Sequence, residues 1–234
     1  TEILNIQRFS LIGYSAGGPG AQAVLYKLKD KVVSAAIVSS VCPPGASNVT
    51  KRMPALFKVA YWAARHCHPL LKAAAKSSEE NYRKDPVAEG RNSFSIYSEA
   101  DFESYKTEEI ELLFLKSALE LYSRKQSDAE IHEYTLWRAP WGFELKDIEC
   151  KHVTVYQGKM DFGTTYEMGE FIHKNIQNSQ FKVHEDKGHL LFFSIYTEML
   201  EDLLKAYDTQ TEQTTTNNNN NPQSDSNESQ NVEQ

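Results

Sequence analysis

The stretch "FSLIGYSAGG" at residues 9–18 constrains the fold of this chain more than any other. A short apolar run ends at Gly13, and helical spacing of apolar residues begins after Gly17, so the sequence predicts a strand, a tight turn and a helix over 18–28. Ser15 stands in a G-x-S-x-G pattern on that turn, where a serine side chain is exposed above the sheet. We expect small residues two positions before and two after Ser15 to be sterically required, because the turn brings those positions together.

Further segments have the same alternation of strand and helix. "VVSAAIVSS" at 32–40 is a nearly continuous apolar or small run, which is typical of a strand buried on both faces of a parallel sheet. Strands are also predicted at 152–157 and 181–184, with helices following at 164–176 and 191–207. The predicted fold class is therefore α/β, with a mostly parallel sheet.

A long helical insertion is predicted between the second and third strands. The chain has helical periodicity and no convincing strand over about a hundred residues. The predicted helices cover 53–75, intact or broken near Pro69, the segment that opens at Thr107, and segments after two capping-box pairs, Ser77 with Glu80 and Ser127 with Glu130. We expect an insertion over 46–144, which divides the α/β core into 1–45 and 145–207.

Charge and composition exclude two classes of partner. The net charge is −7, but five acidic and no basic residues lie at 208–234, which leaves about −2 for the rest. A nucleic-acid partner is not expected, since that needs a basic face. No window contains the roughly 18 uninterrupted apolar residues of a membrane span.

The Asn/Gln-rich stretch 208–234 is predicted to be disordered, because almost nothing in it is apolar.

The three cysteines, Cys42, Cys67 and Cys150, follow no pairing pattern and indicate reduced thiols in an intracellular, cytoplasmic protein. The His66-Cys67-His68 sequence has metal-ligand residue types. Residues two apart on a helix face apart, however, and no second ligand pair completes a site. No metal or other cofactor is predicted.

A serine nucleophile requires a base to take its proton and an acid to orient that base. Asp161 follows the strand at 152–157, and His189 follows the next strand, so both are expected at the same carboxyl edge of the sheet as Ser15. Six other histidines are less suited, because they lie within or at the ends of predicted helices and strands: His66, His68, His132, His152, His173 and His184.

Two other carboxylates compete with Asp161. Asp186 is three residues from His189 in the same loop, and Glu167 is expected on the following helix, so Asp161 is favoured over both. Ala16 follows the serine at a helix N-terminus, where its N–H is suited to stabilise an oxyanion. A second oxyanion donor is expected from a loop after an earlier strand, which this sequence lacks.

The segments "LIGYSAGG", "VYQGKMDFG" and "DKGHLLFF", in this order and at these separations, resemble the α/β-hydrolase superfamily. The resemblance covers residues 8–207 and implies a partial α/β-hydrolase fold, the carboxyl-terminal portion of a longer hydrolase without its first strands. It also implies that 46–144 is a helical lid, from which Trp141-Gly142-Phe143 leads back to the core. The chain departs from the family in lacking a proline shortly after Asp161.

The resemblance and the motifs together predict a serine hydrolase that cleaves an ester or related acyl bond through Ser15, His189 and Asp161. The expected partner is a small, apolar acyl substrate. The aromatic residues that we expect around its pocket are Tyr61, Trp62, Phe114 and Trp141. The alternative is a noncatalytic truncated hydrolase or a binding protein with an incomplete oxyanion hole.

Overall fold

The computed structural model of the chain describes residues 3–123 and 127–219. In this part of the chain, four parallel strands form one sheet in sequence order. They are β1 (Phe9–Tyr14), β2 (Val32–Val38), β3 (Val153–Gly158) and β4 (Gln180–His184). The predicted α/β class and mostly parallel sheet are confirmed. β2 ends before its predicted limit, because Ser39 has a left-handed φ of 41°.

The helices of the described residues alternate with the strands except between β2 and β3. They are α1 (Gly17–Lys27), α2 (Ala55–His66), α3 (His68–Lys84), α4 (Pro86–Phe94), α5 (Glu99–Tyr105), α6 (Glu108–Ser123), α7 (Ser127–Arg138), α8 (Tyr166–Asn175), α9 (Leu191–Ser194) and α10 (Tyr196–Asn219). A 3-10 turn, Leu145–Asp147, precedes β3.

The sheet has an apolar core on each face. Every residue of β2 is buried, and its side chains alternate between the two cores. Ile37 packs in the core that also contains Leu25 of α1 and Ile172 of α8. Val38 packs in the other, which contains Met199 of α10. Helices therefore cover both faces of the sheet, and its carboxyl edge is left for loops.

Residues 46–144, which we call the helical segment, contain α2 to α7. Cys67 separates α2 from α3, so of the two alternatives left open for 53–75 the structure has the broken helix. The predicted capping box at Ser77 and Glu80 is wrong, because both residues lie inside α3. The next helix instead begins after Asp85, whose side chain accepts a hydrogen bond from the Ala88 N–H at 3.0 Å. The side chain of Ser127 lies outside the described residues.

The end of the chain differs from the prediction in two ways. The single helix expected at 191–207 is split into α9 and α10, and α10 continues to Asn219. The first part of the stretch predicted to be disordered is thus helical, because no proline or glycine occurs between Tyr196 and Asn219 to end the helix. Residues 220–234 lie outside the described residues.

Cys42, Cys67 and Cys150 are free thiols in the structure. Over residues 3–123 and 127–219, no helix combines the length and apolar character that crossing a membrane requires.

Candidate active site

The turn between β1 and α1 carries Ser15 in a left-handed conformation, with φ of 51°. The Ser15 N–H donates to the Val38 carbonyl of β2 at 3.0 Å, and its carbonyl accepts from the Gly18 N–H at 3.1 Å. A left-handed φ is uncommon outside glycine and marks a sharp turn. The structure therefore places Ser15 on the predicted strand-to-helix turn.

The glycines around Ser15 have different steric roles. A Cβ at Gly13 would collide with the Ala21 side chain, as predicted. A Cβ at Gly17 would meet nothing within 4 Å, so the predicted steric need at that position is wrong. The crowded position is Gly18, where a Cβ would collide with Ser40, because this face of α1 packs against the chain after β2.

The loops after β1, β3 and β4 bring the three predicted site residues together. Ser15 Oγ lies 2.8 Å from His189 Nε2, and His189 Nδ1 lies 2.9 Å from Asp161 Oδ2. Asp161 and His189 are both buried. The result is a hydrogen-bonded chain from hydroxyl to imidazole to carboxylate. The other two carboxylates are placed elsewhere: Glu167 lies in α8, and Asp186 forms an ion pair with Lys187 at 3.3 Å.

The loop after β3 fixes the Asp161 carboxylate through two backbone donors. Asp161 Oδ1 accepts from the Gly163 and Thr164 N–H groups, each at 2.9 Å. This closes a turn in which an aspartate bonds the backbone two and three residues on. The turn holds one carboxylate oxygen and leaves Oδ2 directed at His189, so the loop is ordered without the proline that the family often has.

Thr164 is a site residue that the sequence reasoning missed. Its hydroxyl lies 3.1 Å from His189 Nδ1 and 2.8 Å from Asp161 Oδ2. It also lies 2.8 Å from the Ser39 carbonyl, just after β2. The Thr164 hydroxyl has one proton, so at any one time it donates either to Asp161 Oδ2 or to the Ser39 carbonyl. The sequence Asp-Phe-Gly-Thr could have indicated that Thr164 lies beside Asp161, since it has the residue types of an aspartate turn.

Opposing effects set the pKa of His189. Burial acts to lower it, because a charged ring loses solvation. The charge of Asp161, the hydrogen bond to Asp161 and the charge of Asp101 act to raise the pKa of His189. Together they outweigh the effect of burial. The pKa of His189 is therefore raised above the ordinary histidine value, and its imidazolium form is stabilised.

Two tyrosines pack beside the His189 ring. The centroids of Tyr14 and Tyr97 each lie 5.5 Å from that of His189. The Tyr14 hydroxyl also donates to the His189 carbonyl at 3.1 Å. Burial raises the pKa of both phenols, so both remain neutral and uncharged beside the imidazole.

Asp101 of α5 links the helical segment to the loop that carries His189. Its side chain is buried, and Oδ1 accepts from the Leu190 N–H at 2.7 Å. Oδ2 accepts from the Ser98 hydroxyl, also at 2.7 Å. A Cβ at Gly188 would collide with this carboxylate, so the loop can approach α5 only because residue 188 is glycine.

A cavity of about 130 Å³ lies next to Ser15 and His189. Most of its other lining residues come from the helical segment and the loop after β3. They are Val41, Met53, Phe57, Ala60, Tyr61, Ala64, Tyr97, Tyr134, Trp137, Arg138, Gly163, Thr164 and Met168.

Of the aromatic residues expected around a pocket, Tyr61 alone lines this cavity. Trp62 is 54% exposed, and Phe114 packs on Phe94 with ring centroids 4.8 Å apart. Trp141 lines two neighbouring cavities instead. The expectation was wrong for these three, because Trp62 is mostly in solvent, Phe114 packs on another aromatic ring and Trp141 lies beyond α7 at the neighbouring cavities.

Ala16 directly follows Ser15 and is the N-cap of α1, with φ of −59° and ψ of −27°. Its N–H therefore belongs to a helix N-terminus, which carries a partial positive charge. Across the described parts of the chain, no group of three or more His, Cys, Asp or Glu side chains is arranged to hold a metal ion.

Many solved structures are similar to this chain in fold. An α/β-hydrolase enzyme from a Medee basin deep-sea metagenome library is 15% identical, with a TM-score of 0.58, over 88% of this chain and 67% of that one. A meta-cleavage product hydrolase from Pseudomonas fluorescens is 13% identical, with a TM-score of 0.61, over 89% and 68%. An esterase from Exiguobacterium antarcticum is 18% identical, with a TM-score of 0.57, over 87% and 68%.

No protein-family model and no curated protein matches the sequence. At these identities the structural likeness concerns the fold. It extends over nearly nine tenths of this chain and about two thirds of each of those structures. The chain therefore has a partial α/β-hydrolase fold, as its three motifs predicted.

Proposed function

We propose that this chain is a serine hydrolase that cleaves an ester or related acyl bond. Ser15 Oγ attacks the carbonyl carbon, and His189 Nε2 takes the hydroxyl proton. The tetrahedral intermediate collapses, the leaving group takes that proton from His189, and the acyl group remains on Ser15. Water then attacks the acyl-serine with His189 again acting as base, which releases the acid and restores the serine.

One observation carries this proposal: the 2.8 Å separation of Ser15 Oγ and His189 Nε2, with Asp161 at 2.9 Å from the opposite ring nitrogen. Those distances are within hydrogen-bonding range for a base and for the group that orients it. The Asp161 carboxylate stabilises the imidazolium that forms when Ser15 is deprotonated, in agreement with the raised pKa of His189.

Two further assignments belong to the proposal. The Ala16 N–H is the first oxyanion donor, because it follows the nucleophile at a helix N-terminus. The helical segment is a lid over the site. Its contacts support this, since Tyr97 packs on the His189 ring and Asp101 accepts from the Leu190 N–H.

The cavity supports a small substrate. Its volume of about 130 Å³ is close to that of cavities of about 150 Å³ that bind benzene, so it holds a short acyl or alcohol group. The side chains of Phe57, Tyr97 and Trp137 supply apolar walls for that group.

Labelling with a fluorophosphonate probe tests the proposal, together with turnover of 4-nitrophenyl acetate. We expect the chain and the control Ser117→Ala to label and to hydrolyse the ester, and Ser15→Ala to do neither. Ser117 is a suitable control because it is an exposed serine on α6. A chain that unfolds cooperatively yet neither labels nor turns over ester would contradict the proposal and favour the noncatalytic alternative. Full hydrolysis by Ser15→Ala would contradict it too.

A further inference from the structure

Arg138, at the end of α7, places a positive charge at the proposed catalytic cavity. It lines this cavity together with Ser15 and His189, and it also lines a neighbouring cavity of about 480 Å³. The guanidinium carbon lies 3.8 Å from the centroid of the Tyr61 ring. A guanidinium stacked at this distance is attracted by the ring, but the ring does not neutralise its charge.

The Arg138 charge lacks a counter-charge in the part of the chain that the structure describes. No Asp or Glu side chain there forms an ion pair with Arg138, and its Nε is buried without a hydrogen-bond partner. Arg138 as a whole is half-buried, and its guanidinium remains protonated, so it keeps a positive charge at the edge of the cavity. A partly desolvated charge without a counter-charge is suited to pair with an anion that enters the cavity.

Two ionisable side chains on which the Arg138 charge acts, Tyr61 and Cys42, remain neutral at neutral pH. Burial raises the pKa of Tyr61, although Arg138 acts to lower it. Burial likewise raises the pKa of Cys42, to about 12, against a smaller lowering by Arg138. Neither the phenol nor the thiol therefore supplies an anion to pair with Arg138.

We infer that Arg138 is a specificity-determining residue that binds a carboxylate on the substrate, so that the preferred substrate is a small carboxylate-bearing ester. The inference rests on the proposed function, because it assigns a substrate class to the same site. A guanidinium matches a carboxylate with two parallel N–H···O bonds, which supports a carboxylate over a neutral polar group. The aromatic walls then contact the short apolar part of the molecule.

Binding to the Ser15→Ala variant tests this inference without turnover. Two anionic esters, monoethyl succinate and acetoxyacetate, place the carboxylate on the acyl and alcohol sides. Their neutral controls are ethyl succinamate and acetoxyacetamide. We expect at least one anionic ester to bind on the order of tenfold to a hundredfold more tightly than its amide in isothermal titration calorimetry.

Substitutions at two arginines, made in the Ser15→Ala background, test whether Arg138 causes the preference for the anionic ester over its amide. Arg138→Met should abolish it, and Arg138→Lys should retain part of it, because lysine keeps the charge without the planar fork. Arg65→Met is the matched control. Arg65 is exposed and lines the neighbouring cavity but not the catalytic one. Loss of the same charge there should leave the preference unchanged.

The outcomes separate this inference from the proposed function. Equal binding of each ester and its amide overturns the inference, and so does a preference that survives in both Arg138 variants or is lost equally in Arg65→Met. With Ser15 present, kcat/KM for the four compounds gives the second readout. A preference in binding that depends on Arg138, without turnover of any ester, overturns the proposed hydrolase activity and leaves the carboxylate site standing.

Discussion

The apolar side chains of the sheet region are buried more completely than those of the helical segment. In the sheet region, Leu25, Ile37 and Ile172 are completely buried in a continuous core. The small core within the helical segment consists of Ala63, Ala64, Leu71 and Ile131. More than a third of the surface is exposed for each of the following apolar residues of the segment: Leu56, Val59, Trp62, Leu70, Val87, Leu112, Leu113, Leu119 and Leu136.

The two regions also contribute different kinds of residue to the site. The proposed nucleophile, base and acid all lie on loops that follow strands of the well-packed sheet. The helical segment supplies side chains that surround the site, such as Tyr97 and Asp101 against the His189 loop and Arg138 at the cavity. Changes in the sheet region should therefore have large effects on catalysis and stability. Changes in the helical segment should mostly affect the pH dependence and the preference among substrates.

The largest expected effect is that of Asp161→Asn in the sheet region. Substitution of the orienting acid in a triad stabilises the wrong histidine tautomer, and kcat should fall on the order of 10⁴-fold. Steady-state hydrolysis of 4-nitrophenyl acetate measures this. Glu167→Gln, at the competing carboxylate on α8, should keep its activity, and a comparable loss in that control would refute the assignment of the acid.

The same substitution in the two regions tests the packing difference directly. Leu25→Ala should lower the free energy of unfolding by about 2–5 kcal/mol, because it opens a cavity in a filled core. Leu112→Ala should change it by roughly 0.5 kcal/mol or less, because Leu112 is 46% exposed. Urea unfolding of both variants gives the comparison, and equal losses would show that the regions are packed alike.

A smaller effect is expected at the turn that carries Ser15. Gly18→Ala should cost about 1–3 kcal/mol in the free energy of unfolding, since the new Cβ overlaps Ser40 and the backbone must shift. Gly17→Ala should stay within about 0.5 kcal/mol, because its Cβ enters open space. The reverse order in urea unfolding would contradict the packing described for α1.

The smallest expected effect is a shift in pH dependence at Asp101 in the helical segment. Hydrolysis requires neutral His189, so the rate should fall as the pH drops through the pKa of that histidine. Asp101→Asn keeps an oxygen for the Leu190 N–H but removes a charge that raises the pKa of His189. The acid limb of kcat/KM should therefore move to lower pH.

The matched control for this shift is Glu103→Gln on the same helix, at an exposed residue that pairs with Lys106. It should leave the pH profile unchanged. An acid limb that stays in place in Asp101→Asn, or moves equally in both variants, would show that Asp101 does not act on His189 through its charge.

The sequence was sufficient to predict the strands and the meeting of Ser15, Asp161 and His189. Parallel strands end at a common edge, so the order of strand and loop along the chain locates each residue in space. The capping-box pattern at Ser77 and Glu80 failed for a local reason, since Asp85 followed by proline is a stronger helix start and α3 runs on to it.

The contacts made across the fold were beyond prediction from one sequence. Asp101 bonds a backbone group 89 residues away, and no local pattern encodes that pairing. The same holds for Gly18, whose crowding depends on where α1 packs, and for Arg138, whose lack of a counter-charge is a property of its surroundings. Such features become visible only when tertiary packing is known.

β2 contributes no side chain to the proposed catalytic hydrogen-bonded chain, yet its carboxyl end and the residue that follows it contact both ends of that chain. The Val38 carbonyl fixes the backbone of Ser15, and the Ser39 carbonyl, one residue later, accepts from Thr164 beside Asp161. Two adjacent peptide groups, the last of β2 and the one directly after it, thus position both the nucleophile and the acid. Because both contacts come from neighbouring peptide groups, a displacement of this segment would move Ser15 and Asp161 together and would change their separation less than their individual positions.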